Sequence, residues 1–122
     1  MSMDNCIFCK IVKKETPAHI VYEDDDFVAF LDIHPQSPGH AQIVPKQHCR
    51  WVWDVPNIGA YFEIVRKIAL AQQKAFDTEM ILCQVIGEDV PHAHVWIFPN
   101  SSVESDPKDF ESNKNKIIEA LQ

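Results

Sequence analysis

The chain of 122 residues contains only three glycines, Gly39, Gly59 and Gly87. Because they lie 20 and 28 residues apart, neither the motif GxGxxG nor the motif GxxxxGK occurs anywhere in the sequence. The two commonest glycine-rich loops that bind phosphate groups are therefore excluded.

Basic residues are also scarce. Lys and Arg number 11 against 18 Asp and Glu, so the formal net charge is −7. A protein that binds a nucleic-acid backbone needs a dense basic surface, so this charge argues against a nucleic-acid polymer as a partner. With 46% hydrophobic and 24% charged residues, the composition is that of an ordinary soluble globular protein with one domain's worth of chain.

Long apolar runs are absent too. No stretch approaches the roughly 18 uncharged apolar residues that a membrane span needs. Residues 1–5 do not carry a basic region followed by an apolar run, so we expect no signal peptide and a cytoplasmic protein. In a reducing compartment, the spacing of Cys6 and Cys9 indicates metal ligands or a redox pair rather than a disulfide. The alternative is a pair of free thiols in the core.

The hydrophobic patterns predict an α+β fold with an antiparallel sheet. The predicted strands cover residues 19–23, 27–32, 40–45, 80–86 and 92–98. The predicted helices cover residues 6–14, 57–76 and 110–121. Asn57 is the expected N-cap of the long helix. The acidic run 23–26 is predicted to be the turn of a hairpin.

The segment 90–99 carries the most chemistry. Side chains alternate along a strand, so His92, His94 and Trp96 would share one face. Two imidazoles at this spacing can share a metal, or one can bind a metal while the other reacts. The plain alternative is two exposed histidines on an amphipathic strand.

This segment resembles the signature of the histidine triad (HIT) superfamily of nucleotidyl hydrolases and transferases. That signature has three histidines alternating with apolar residues, and here Trp96 stands in the third place. Other segments resemble the family's N-terminal segment, its nucleotide loop, the stretch after that loop and the approach to the triad: 6–12, 30–40, 44–48 and 87–92. The resemblance, to the Hint-like branch, implies one HIT domain over residues 1–122. Its fold would have about five antiparallel strands, one long helix and short terminal helices.

The resemblance implies a role for each site residue. His94 would be the nucleophile that attacks the α-phosphorus of a nucleotide, because a neutral imidazole is a competent nucleophile near pH 7. His40 would sit beside it, and Asp32 would accept hydrogen bonds from the ribose hydroxyls. Gly87 and Asp89 would lie at the phosphate. Five apolar residues would wall the base pocket, although plain core packing explains each equally well: Ile7, Phe8, Ile11, Phe30 and Ile33.

The same resemblance implies a structural zinc site. Some HIT relatives, including the galactose-1-phosphate uridylyltransferases, hold zinc with two cysteines, the first histidine of the motif and one upstream histidine. The equivalents here are Cys6, Cys9, His48 and His92. Four protein ligands leave no coordination position for water, so such a zinc ion stabilises the fold and aligns His94.

Trp96 leaves more than one function open, because an indole offers a single N–H donor and no acid. The favoured function is hydrolysis of a nucleoside phosphoramidate or related nucleotide conjugate through a nucleotidyl-His94 intermediate. The alternatives are a nucleotidyltransferase and a zinc-stabilised nucleotide-binding module with little catalysis. Family resemblance also implies a symmetric homodimer through the helix 57–76 and neighbouring strands.

Overall fold

The computed structural model describes residues 5–100 and 102–122. Residues 1–4, on which the expectation about a signal peptide rests, and Ser101 lie outside the described residues. The described strands are β1 (Ile20–Glu23), β2 (Phe27–Leu31), β3 (Ala41–Pro45), β4 (Ile81–Gln84) and β5 (Val95–Pro99). The described helices of more than one turn are α1 (Ile7–Val12), α2 (Ile58–Ala75) and α3 (Phe110–Leu121).

The five strands form one antiparallel sheet in the order β1-β2-β3-β5-β4. The predicted α+β class is therefore confirmed. The β1–β2 hairpin closes through Asp24, whose Oδ1 accepts hydrogen bonds from the backbone N–H groups of Asp26 and Phe27, both at 2.8 Å. The acidic run is a turn, as its composition predicts.

Strand β2 is buried on both faces of the sheet. Phe27, Ala29 and Leu31 belong to the core beneath α2, whereas Val28 and Phe30 pack in a second cluster with α1. The alternation follows from the pleat of the strand. The main hydrophobic core lies on the α2 side of the sheet, and the smaller cluster on the α1 side adjoins the candidate functional site.

Helix α2 begins and ends within one residue of its predicted limits. Its Tyr61 hydroxyl donates to the carbonyl of Ile43 at 2.6 Å, which fixes the helix against β3. Asn57 stands at the N-cap position but does not cap the helix with its side chain, and its Nδ2 is directed at the Asp26 carboxylate, 3.5 Å away. Neither α2 nor another helix in the described part of the chain is long and apolar enough to cross a membrane.

The last strand is shorter than predicted, because it begins at Val95 rather than His92. The backbone N–H of Ala93 donates to the carbonyl of Cys49 at 2.7 Å, and that of His92 donates to Val90 at 2.9 Å. Residues 90–93 therefore turn instead of continuing the ladder. Strand β4 is also shorter, covering Ile81–Gln84 instead of 80–86.

Candidate functional site

One row of side chains crosses the sheet on the α1 side. Phe30 pairs with Gln42, and Gln42 pairs with Trp96. Partnered residues of antiparallel strands project from the same face, so these side chains stand next to one another. Together with α1 they line a cavity of about 440 Å³, a volume that suits a small ligand.

The five apolar residues expected at a base pocket all line this cavity: Ile7, Phe8, Ile11, Phe30 and Ile33. Phe8 meets Phe30 edge to face at a centroid distance of 5.5 Å. Ile7 and Ile33 are 41% and 64% exposed, so plain core packing does not describe them. Our sequence analysis missed Gln42, although alternation along β3 places it on this face.

Asp32 follows β2 directly and also lines the cavity. Its Oδ1 accepts a hydrogen bond from the backbone N–H of His34 at 2.8 Å, and its Oδ2 accepts one from Nε2 of Gln42 at 3.0 Å. A carboxylate has further lone pairs beyond these two bonds. Asp32 is therefore held rigidly and can still accept a hydrogen bond from a ligand hydroxyl.

His40 is buried and packs against Trp96 and Phe98, at ring-centroid distances of 5.2 and 4.9 Å. The backbone N–H of Gln36 donates to its Nδ1 at 3.0 Å, so the proton of the neutral ring is on Nε2. Burial lowers the pKa of His40, and the nearby charge of Asp32 opposes that effect only in part. His40 is therefore in contact with Trp96 but does not itself line the cavity.

His94 is buried, and its Nδ1 lies 2.7 Å from the carbonyl oxygen of His92. A carbonyl can only accept, so Nδ1 carries a proton and Nε2 is the nitrogen that can react. Nε2 lies 3.0 Å from Oδ1 of Asp89, whose half-exposed carboxylate lines the cavity. Phe8 contacts the rings of both His92 and His94, at 5.9 and 5.2 Å between centroids. The two histidines therefore lie on the α1 side, although they precede the strand.

Gly87 begins the loop that leads to Asp89. Its φ of 84° lies in the left-handed region, and a Cβ here would come within 2.7 Å of the Trp51 ring. The guanidinium of Arg50 stacks over Trp51 at 3.8 Å and donates to the carbonyl of Gly87 at 2.7 Å. Gly87 thus packs on Trp51 instead of lining the cavity. Arg50 and Trp51 belong to no motif, which is why sequence reasoning missed them.

A metal-ligand cluster adjoins this site. The ligand atoms of Cys6, Cys9, His48 and His92 all lie within 4.8 Å of one another. Nδ1 of His92 is 3.2 Å from Sγ of Cys6 and 3.2 Å from Nδ1 of His48. Around a tetrahedral zinc ion, such ligand atoms stand roughly 3.3–3.8 Å apart. The four residues could therefore hold zinc with small adjustments.

The protonation of this cluster suits a cation at His92 but not yet at Cys9. Nε2 of His92 lies 2.8 Å from the carbonyl of Pro45, which keeps the proton there and leaves Nδ1 free to bind a metal. Burial lowers the pKa of His92 to about 4, so the ring is neutral. Burial, aided by a hydrogen bond with Cys6, raises the pKa of Cys9 to about 12. A bound cation would have to displace the Cys9 proton.

Comparison with known proteins identifies the family. The HIT domain family model matches residues 13–103. An uncharacterized HIT-like protein of Methanocaldococcus jannaschii is 35% identical over 122 residues, which cover 95% of this chain and 95% of that protein. The adenosine 5′-monophosphoramidase HNT1 of Saccharomyces cerevisiae is 34% identical over 105 residues, 82% of this chain and 65% of the yeast protein.

A solved structure gives the same answer. The crystal structure of a Zn-bound histidine triad family protein from Mycobacterium smegmatis has a TM-score of 0.86 to this chain at 28% identity. The match covers 98% of this chain and 95% of the mycobacterial one. The chain belongs to the HIT family, and its five-stranded sheet is the HIT-like fold.

Proposed function

We propose that this HIT-family protein is a nucleotide-binding hydrolase that cleaves a nucleoside phosphoramidate, or a related nucleotide conjugate, through a covalent nucleotidyl-His94 intermediate. The observation that carries the proposal is the contact between Nδ1 of His94 and the carbonyl of His92. It leaves Nε2 as the reactive nitrogen, 3.0 Å from Asp89, which lines the cavity. The similarity to a yeast adenosine 5′-monophosphoramidase supports the substrate class.

The cavity suggests how such a nucleotide would lie. The base would pack between Phe8, Phe30 and the isoleucines of the wall, and the ribose hydroxyls would donate to Asp32. The phosphate would then lie near Asp89, with its α-phosphorus facing Nε2 of His94. Backbone N–H groups around Gly87 and His94 are the proposed donors to the phosphate oxygens. Attack by His94 would release the amine, and water would hydrolyse the resulting nitrogen–phosphorus bond.

Hydrolysis of adenosine phosphoramidate by the wild type and by His94→Ala tests this proposal. Removal of a nucleophile should lower kcat/KM by about 10³-fold or more. Melting temperature and binding of adenosine monophosphate serve as controls that the variant is folded. Equal rates for the two proteins would refute the catalytic proposal.

Trp96 is the observation that favours a second candidate, a nucleotide-binding module with little catalysis. Its indole Nε1 is buried without a hydrogen-bond partner among the described residues, and an indole cannot act as an acid. A nucleotidyltransferase is the third candidate. Tight binding of the monophosphate without turnover would favour the module. A His94-dependent reaction that accelerates with an added acceptor other than water would favour the transferase.

We also propose that Cys6, Cys9, His48 and His92 hold a structural Zn²⁺. When bound, zinc supplies no chemistry to the reaction, because four protein ligands leave no open position. The ligands join α1 to the segment that carries His94. The similarity to a Zn-bound HIT protein supports this assignment. Cys6 and Cys9 form no disulfide, which fits a reducing compartment, and we propose a cytoplasmic location.

We further propose a homodimer through the outer edge of β4. Three apolar residues are exposed along or next to this edge: Met80 at 57%, Leu82 at 38% and Ile86 at 47%. Cys83 is exposed here as well. The strand order leaves one side of β4 without a neighbour within the described sheet. An exposed apolar edge can pair with another strand. Antiparallel pairing of β4 with β4 of a second copy would give a dimer with two-fold symmetry.

A further inference from the structure

We propose that Asp89 is the catalytic acid and base of this site, and that it carries the proton between Nε2 of His94 and the leaving group. The inference rests on the proposed function, since it requires attack by His94. It assigns to Asp89 a role beyond contact with the phosphate.

The contact between Asp89 and His94 requires a proton that the nucleophile cannot keep. Nδ1 of His94 already donates to a carbonyl, so a neutral ring presents only a lone pair at Nε2. The carboxylate oxygen of Asp89, 3.0 Å away, also presents a lone pair. One proton must lie between these two atoms to make the hydrogen bond. His94 can attack phosphorus only after that proton has moved to Asp89.

The backbone of Asp89 is fixed by the packing of the loop before it, whereas its side chain is free to rotate. The loop before it is held where Arg50 donates to Gly87 and stacks on Trp51. The carboxylate itself is 51% exposed and lines the cavity. It can therefore rotate from Nε2 toward a leaving group while its backbone stays in place.

Besides Asp89, the cavity wall includes the titratable side chains of Asp32 and His34 and the indole of Trp96. Among the described residues, no side-chain contact joins His34 to His94. Trp96 has no acidic proton to give. Asp32 is engaged by His34 and Gln42 and is expected at the ribose. In the described part of the chain, Asp89 is the titratable wall residue that contacts His94. An amine leaves phosphorus readily only when its nitrogen gains a proton, so the reaction needs such a donor.

The proposed steps balance. As the substrate binds, the shared proton passes to Asp89, and Nε2 of His94 forms a bond to phosphorus. The phosphorus–nitrogen bond of the substrate breaks, and Asp89 gives its proton to the departing amine. In the second step the Asp89 carboxylate takes a proton from water, whose oxygen bonds to phosphorus as the bond to Nε2 breaks. Asp89 then shares that proton with His94 again, and the net reaction consumes one water.

Protonation of Asp89 also reduces the electrostatic repulsion between this residue and the phosphate. A carboxylate beside an anionic phosphate would repel it, whereas a protonated Asp89 donates a hydrogen bond to it or to the leaving group. Transfer of the proton from His94 to Asp89 therefore removes this repulsion as the substrate binds.

The test compares Asp89→Asn on two adenylyl substrates with different leaving groups. One substrate carries an alkylamine, which needs a proton, and the other carries p-nitrophenolate, which leaves as a stable anion. We expect kcat/KM to fall about 10²–10⁴-fold for the phosphoramidate and by less than about tenfold for the ester. The matched control is Asp25→Asn, which makes the same exchange at an exposed residue of the turn between β1 and β2 and should leave both rates unchanged.

The outcomes are distinguishable. A loss confined to the phosphoramidate supports the acid role. Equal losses on the two substrates, or no loss on either, would overturn it while His94-dependent turnover upholds the proposed function. A wild type no faster than His94→Ala would overturn both. Melting temperature and nucleotide binding of Asp89→Asn show that the comparison uses folded protein.

Discussion

The backbone carbonyl of His92 accepts the hydrogen bond from Nδ1 of His94 at 2.7 Å, while the side chain of His92 belongs to the metal-ligand cluster. One residue therefore contacts both the proposed zinc site and the proposed nucleophile. A shift of His92 would disturb the bond that makes Nε2 of His94 the reactive nitrogen. The two sites are expected to depend on each other.

Loss of one cysteine ligand should weaken zinc binding and stability together. We expect wild-type protein to contain about one zinc ion per chain, and Cys6→Ser to contain less and to melt at a lower temperature. Turnover should fall as well, because His92 loses a fixed position. Elemental analysis and thermal melting measure the first two effects. Cys83→Ser, which removes an exposed thiol, is the control. Unchanged zinc content and melting temperature in Cys6→Ser would contradict the assignment.

Asp32→Asn should weaken nucleotide binding through the ribose. Exchange of a charged acceptor for an amide should cost about 10- to 100-fold in affinity for adenosine monophosphate. The dideoxy analogue, which lacks both ribose hydroxyls, should bind the variant and the wild type about equally. Calorimetric titration with both ligands makes the comparison. The same loss with the dideoxy analogue would show that Asp32 acts on the fold and not on the ribose.

The buried His40 should make stability depend on pH. In the unfolded chain its pKa is near 6.5, and burial lowers it in the folded protein. The unfolded state therefore binds more protons at acid pH. The contribution of His40 is complete above about pH 6.5 and is lost as the pH falls toward the lower folded pKa. Urea unfolding across this range should show a smaller decline in unfolding free energy for His40→Gln than for the wild type. Parallel declines would contradict this explanation.

A charge on the β4 edge should separate the proposed dimer. Leu82→Lys places a cation where the second copy would pack, so light scattering should report the mass of one chain for the variant and of two for the wild type. Trp53→Lys, at a 70% exposed residue outside β4, is the control. A wild-type mass of one chain would contradict the proposed dimer directly.

Local signals in the sequence predict most of the elements. Helix α2 follows from its apolar spacing, and the β1–β2 hairpin follows from the acidic turn. The start of β5 does not, because Ala93 bonds to Cys49, which is distant in the sequence. Alternation of side chains along the chain does not reveal such a long-range bond, and it therefore predicts a strand that begins at His92.

The site likewise contains features that the sequence predicts and features that it does not. The four metal ligands were expected from family resemblance, since their spacing alone indicates only the cysteine pair. The contact between Asp89 and His94 was not predicted. It depends on a loop conformation that Arg50 and Trp51 hold from another part of the chain, and no local pattern encodes such a contact.

The stereochemical course at phosphorus distinguishes a covalent nucleotidyl-His94 intermediate from direct attack by water. The substrate is an adenosine phosphoramidate with sulfur in place of one phosphorus oxygen and a defined configuration, hydrolysed in isotope-labelled water. Attack by His94 followed by attack by water makes two in-line displacements, so we expect net retention of configuration in the product. Net inversion would show that water attacks the substrate directly, and would contradict a nucleotidyl-His94 intermediate.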